Sequence, residues 1–190
     1  MLYEQLVKDF PLSGLKPMPA VGNKLSLNNL SSEFLNVIRS SEAWALFYNK
    51  AMTKAFIKDF QDIEYFPDPE YVKFEFSILP GAGGFIHPHP DTPKKLSTIV
   101  LYITDEVWPT EYGGGMQCYS HRTNPNGKFT GTYNEVKFSD VDVLMTAQYR
   151  PNTIVGFVRT DNSLHGVPPI NHPKGLPRRS VTINFIKEKR

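Results

Sequence analysis

The sequence predicts a mainly β domain with N-terminal helices, its strands forming an antiparallel sandwich of jelly-roll type. Three observations carry that expectation. Residues 30–60 show helical hydrophobic spacing, the pattern switches to a period of two at Tyr71, and the later strands are short and separated by Gly, Pro, Asn and Asp clusters. A chain of 190 residues fits one domain with one core, since domains usually run to roughly 100–200 residues. The expected division of residues 1–190 is a helical N-terminal layer over 1–70 and a β core over 71–190.

The helical part follows a Pro/Gly-containing stretch from Pro11 to Gly22. Phe34, Leu35 and Ile38, then Trp44, Phe47, Ala51 and Ala55, recur three or four residues apart and mark a buried face. Ser31 and Ser41 suit N-cap positions. The stretch holds no cluster of His, Cys or carboxylates, so its expected role is to cover a sheet.

From Tyr71, "YVKFEFSIL" alternates Val72, Phe74, Phe76 and Ile78 with Lys73, Glu75 and Ser77, which reads as a half-buried strand ending at the turn "PGAGG". Further strands are expected at 97–103, 115–119, 153–158 and 180–186. The 13 Phe, 9 Tyr and 2 Trp favour a β-rich interior.

Composition narrows the function. The 21 basic and 19 acidic side chains are interspersed and leave a net charge of +2, with only the end from Lys187 to Arg190 noticeably basic, so no nucleic-acid partner is expected. A single cysteine, Cys118, makes no internal disulfide and fits a reducing compartment. The start "MLYEQLVKDFPLSG" lacks a signal-peptide pattern, and no apolar run approaches the ~18 residues of a membrane span. A cytoplasmic location without membrane contact is the expectation.

The chemistry concentrates in "GFIHPHPDTPKKL". In extended chain, side chains two apart share a face, so His89 and Asp91 can reach one ion. Pro88 and Pro90 push His87 and His89 out of the helical region and hold the segment extended. A third ligand is needed, and His121, His165 and His172 are available. His165 is favoured because it follows an apolar strand and precedes Gly166, where a backbone could approach a ligand closely. Two histidines and one carboxylate form the ligand set of non-haem Fe(II) oxygenases. Beyond His165 lies "RRSVTINF", where Arg178 and Ser180 share a strand face and offer a guanidinium fork and a hydroxyl to a carboxylate.

The order His89-x-Asp91, His165, Arg178-x-Ser180 resembles the 2-oxoglutarate- and Fe(II)-dependent dioxygenases, especially their prolyl-hydroxylase-like branch, from about Val72 to Ile186. "LYITDEVWPTEYGGGMQCY" is similar to that branch too, with a tyrosine-bearing strand, a Trp-containing loop and a Gly-Gly pair. The resemblance implies a double-stranded β-helix, a cupin-like jelly roll with the iron at one mouth. It further implies His89, Asp91 and His165 as Fe(II) ligands, Arg178 on the distal carboxylate of 2-oxoglutarate, and Tyr102 and Ser180 assisting it. The implied reaction consumes O2 and 2-oxoglutarate and gives succinate and CO2 with hydroxylation of an unactivated C–H. The primary substrate is expected to be a small metabolite, sugar or amino acid; a peptidyl, prolyl-type substrate is the alternative. A non-catalytic metal-binding jelly roll would have no need for the clamp at Arg178 and Ser180, and halogenation is disfavoured because Asp91 fills the position a halide would take.

Five residues and one loop stay at the margin of this reading. His87 either backs the ligands, sits at the pocket mouth or is exposed, and Arg179 is set aside in favour of Arg178 by the alternation with Ser180. His121 and His172 lie in polar loops and read as surface residues. Gln117 either lines the pocket or fills a strand. Residues 120–138 contain the hairpin signal Asn126-Gly127 and read as an excursion at the sheet end, with a lid over substrate as the bolder version.

Overall fold

The computed structural model describes residues 1–18, 22–129 and 136–187. Helix α1 (Leu2–Lys8) is followed by strands β1 (Lys16–Met18) and β2 (Lys24–Asn28), then helices α2 (Ser32–Ser40), α3 (Glu42–Ala51) and α4 (Lys54–Gln61). The strands continue with β3 (Tyr71–Leu79), β4 (Ile86–His89), β5 (Lys95–Tyr102), β6 (Gln117–His121), β7 (Val141–Thr146), β8 (Ile154–Val158), β9 (Leu164–Val167) and β10 (Arg178–Ile186).

The helical stretch breaks where its capping residues dictate. Ser31 Oγ accepts from Phe34 N–H at 3.3 Å and Ser41 Oγ from Trp44 N–H at 3.2 Å, as the sequence predicts, and Thr53 Oγ1 caps α4 in the same way at 3.2 Å. Phe34, Ile38, Trp44 and Ala51 are buried; Leu35 faces solvent beside the buried Phe34–Ile38 stripe of α2, and Ala55 does so because α3 ends at Ala51 and the helical phase restarts in α4. The first seventy residues are not all helix. β1 and β2 add to the sheet through β2–β3 pairing, with Leu25 opposite Ile78 and Leu27 opposite Phe76.

All pairings are antiparallel and form a six-stranded sheet, β1-β2-β3-β10-β5-β8, and a four-stranded sheet, β4-β9-β6-β7. Two sheets with this strand interleaving form a double-stranded β-helix. The helices cover the outer face of the larger sheet, where Trp44, Phe34 and Phe10 pack edge-on against Phe74 and Phe76. β3 therefore departs from the half-buried expectation. Its apolar side faces the helices and its polar side, Glu75 and Ser77, is equally buried because it faces the interior between the sheets.

Candidate metal centre and pocket

β4 and β9 pair so that His89 lies directly opposite His165, bringing together residues far apart in the chain. Gly166 makes this possible: a Cβ there would meet Ile86 O at 2.6 Å, so only glycine lets the β4 backbone pass so close to β9. Asp91 follows just beyond β4, and one ligand atom from each of His89, Asp91 and His165 lies within 4.8 Å of the others. His165 Nε2 is 3.9 Å from Asp91 Oδ1.

Both imidazoles are oriented from behind. His89 Nδ1 donates to His87 O at 2.8 Å and His165 Nδ1 to Ser163 O at 3.1 Å, which leaves each Nε2 as a lone-pair donor toward the cluster. Burial, with His165 close by, lowers the His89 pKa to about 3, and burial likewise lowers that of His165, so both rings are neutral at neutral pH, the form that can ligate a metal. Burial alone would raise the Asp91 pKa; the Lys95 ammonium, by its charge and its hydrogen bond, overturns that and holds it ionised. Lys95 Nζ lies 2.6 Å from Asp91 Oδ1, and Thr98 Oγ1 donates to Oδ2 at 2.8 Å. Two neutral imidazoles and one carboxylate, converging and preset, fit a borderline divalent ion such as Fe(II).

The cluster lies in the wall of a pocket of about 570 Å³, counting its open mouth, whose wall also includes Arg178, Ser180, Lys24, Val100, Met116 and Phe157. Arg178 is 3% exposed. Its Nε donates to Gly114 O at 2.5 Å and its Nη1 to Ser180 Oγ at 2.9 Å, while the guanidinium lies 5.2 Å from the Tyr102 ring centre and 5.6 Å from that of Tyr149. Gly114 has φ 84° and a Cβ there would press on Trp108 at 2.9 Å, so the Gly-Gly pair turns a carbonyl onto the arginine where a side chain would not fit. Among the described residues no carboxylate pairs with Arg178. Tyr102 is fully buried behind the pocket wall, its hydroxyl accepting from Met116 N–H at 2.8 Å.

The other sequence-marked residues separate cleanly. His87 sits between Phe85, which meets it edge-on, and Phe138, and lends its carbonyl to His89. Arg179 points the opposite way, donating to Val7 O at 3.2 Å with its guanidinium over Phe10. Gln117 bonds Thr146 and Tyr119 outside the pocket, and its neighbour Met116 lines the wall instead. His172 is not a surface residue. It is 5% exposed, packed on Trp108 and Tyr112, with Nδ1 accepting from Lys174 and Leu176 N–H and Nε2 donating to Glu106 at 3.2 Å. His121 rests on Phe129 at the molecular periphery. A turn forms one residue before the Asn126-Gly127 hairpin signal: Gly127 N–H donates to Asn124 O at 3.0 Å, so Pro125 and Asn126 are its centre, and neither Asn126 nor Gly127 has the positive φ of a primed hairpin turn. The lid reading of 120–138 falls partly on residues 130–135, outside the described residues; Val136 N–H donates to Pro88 O at 2.8 Å on the strand that carries the ligands.

A jelly-roll pocket that joins a two-histidine, one-carboxylate centre to a buried, unpaired guanidinium defines a non-haem iron oxygenase built around an anionic co-substrate. The family model described as "2OG-Fe(II) oxygenase superfamily" matches residues 74–186, more than half of the chain. The chain belongs to that superfamily, whose members use Fe(II), 2-oxoglutarate and O2. No curated protein sequence matches it. Among solved structures it is similar to a 2OG-Fe(II) oxygenase family oxidoreductase from Burkholderia pseudomallei, at 12% identity and TM-score 0.58, over 97% of this chain and 78% of that one. HygX from Streptomyces hygroscopicus, solved with nickel and 2-oxoglutarate, gives 11% identity and TM-score 0.56 over 97% and 78% of the two chains. A prolyl hydroxylase from Trichoplax adhaerens, in complex with a hypoxia inducible factor peptide, gives 13% and 0.54 over 98% and 77%. At such identities these likenesses speak for the fold. Among the described residues no helix is long and apolar enough to cross a membrane.

Proposed function

We propose that the protein hydroxylates an unactivated C–H bond of a small metabolite, a sugar or an amino acid, with 2-oxoglutarate as co-substrate. The observation that carries this reading is Arg178, a buried guanidinium with no described carboxylate partner in the wall of the pocket that also holds the histidine–aspartate cluster. A buried charge without a counter-ion costs several kcal/mol, and a bound carboxylate supplies the missing partner. Bound Fe(II) supplies the activation of O2 that couples oxidation of 2-oxoglutarate to succinate and CO2 with hydroxylation of the substrate.

The chain's own side chains do the holding. His89, Asp91 and His165 would hold the metal through Nε2, a carboxylate oxygen and Nε2; behind them His87 O and Ser163 O accept from the rings, and Lys95 and Thr98 bind the carboxylate. Arg178 binds the distal carboxylate of 2-oxoglutarate through the edge not spent on Gly114 and Ser180. Ser180 sets the guanidinium plane and lines the pocket; Tyr102 supports the guanidinium from its ring face. Val100, Met116 and Phe157 give the intervening wall an apolar surface that excludes water from the charged contacts.

The test is anaerobic addition of Fe(II) and 2-oxoglutarate with observation of the metal-to-ligand charge-transfer band, then air and measurement of succinate. Free amino acids, sugars and proline-containing peptides are next compared for stimulated succinate release and a product heavier by one oxygen. Turnover confined to the peptides would refute the small-molecule assignment, and no succinate at all would refute the hydroxylase.

A further inference from the structure

The inner face of β3 carries a charged group that the iron and co-substrate chemistry leaves unused. Glu75 is 2% exposed, and its carboxylate takes Lys24 Nζ at 2.6 Å on one oxygen and Lys73 Nζ at 2.9 Å on the other. Ser77 Oγ adds a contact at 3.3 Å. Burial would push the Glu75 pKa up, yet Lys24 and Lys73 bring it down to about 2, so the group stays ionised.

Lys24 comes from β2, before the residues that match the superfamily. Its neighbours Leu25 and Leu27 pair with Ile78 and Phe76 on the helix-covered face, so alternation turns Lys24 inward. It lines the same pocket as the metal cluster and Arg178, and its charge reaches His165. Among the described residues Glu75 is the acceptor for its ammonium, which has three N–H donors and so can also serve a ligand.

Charge balance says what kind of ligand. In the loaded site the divalent metal offsets doubly ionised 2-oxoglutarate, and Lys95 is paired with Asp91 at 2.6 Å. Arg178 has no described carboxylate partner, and Lys24 and Lys73 share the single carboxylate of Glu75, which leaves the inner wall positive. We propose that the primary substrate carries an anionic group, a carboxylate or a phosphate, and that Lys24, held in place by Glu75, is the residue that binds it. This rests on the oxygenase reading of the same pocket and adds the substrate's charge to it. Glu75 contributes by position: it draws the Lys24 stem along the wall.

The test uses protein loaded with Mn(II) and saturated with 2-oxoglutarate, so that the Arg178 position is filled. Paramagnetic relaxation of inorganic phosphate, followed by 31P, and of acetate, followed by its methyl protons, reports an anion held near the metal; comparing the two distinguishes a phosphate from a carboxylate. At least one anion should show saturable enhancement, with affinity reduced tenfold or more in Lys24→Met and kept within about threefold in Lys24→Arg. Lys73 remains on Glu75 in both variants, so the carboxylate keeps a counter-ion, and circular dichroism confirms the fold. Absence of enhancement for both anions in the wild type, or equal enhancement in Lys24→Met, would overturn the proposal. Loss of 2-oxoglutarate affinity in Lys24→Met would also overturn it, by assigning the lysine to the co-substrate. Failure of the oxygenase reading shows separately, as absence of succinate from the Fe(II)-loaded wild type.

Discussion

Replacing Arg178 by leucine tests the co-substrate site most directly. The guanidinium is buried, flanked by two tyrosine rings and tied to Gly114 O and Ser180 Oγ, so its charge acts in a pocket that screens little. Truncating one partner of a buried, hydrogen-bonded charge pair costs about 2–5 kcal/mol, and each 1.4 kcal/mol is tenfold in affinity, so 2-oxoglutarate should bind at least ~30-fold more weakly. Iron should still bind with unchanged stoichiometry, since none of its ligands is altered. Arg179→Leu is the control: that side chain serves Val7 O and Phe10 on the other face, so it should loosen α1 without changing 2-oxoglutarate affinity. The assay is titration of 2-oxoglutarate into the Fe(II)-loaded variants under nitrogen, followed by the charge-transfer band. Equal affinities for wild type and Arg178→Leu, or a larger loss in Arg179→Leu, would refute the reasoning.

The metal assignment predicts that His89→Ala and His165→Ala each lose iron while His87→Ala keeps it, because His87 contributes a carbonyl that alanine retains; metal analysis after desalting decides, and the reverse pattern would shift the ligand set. Glu75 predicts an acid limb of stability. Its folded pKa of about 2 lies below the ordinary 4.5, so the unfolded chain takes up its proton first, and the stabilisation present above pH 4.5 is lost as pH falls toward 2. At about 1.4 kcal/mol per pH unit this is about 3 kcal/mol, read as a steeper acid dependence of urea unfolding in wild type than in Glu75→Gln; parallel curves would contradict it. His172→Ala should cost about 2–4 kcal/mol in urea unfolding by stranding the N–H groups of Lys174 and Leu176 and opening space beside Trp108, whereas the peripheral His121→Ala should stay within about 0.5 kcal/mol.

The amino-acid order alone carried the strand periodicity, the serine caps of α2 and α3, and the series His89-x-Asp91, His165, Arg178-x-Ser180, because each of these is a local pattern of spacing or residue chemistry. Alternation along β3 showed which residues share a face, but not what each face meets. Glu75 and Ser77 looked solvent-facing because water and a polar pocket select the same side chains. The loop around His172 looked exposed for the same reason, since its polar and proline-rich residues say nothing of Trp108 and Tyr112 packing over it. The pairing of His89 with His165 across β4 and β9, and the arrival of Lys24 from a strand inside an apparently helical region, were decided only by tertiary structure. Strand register and sheet order arise from contacts between distant segments, and no window of sequence contains both partners.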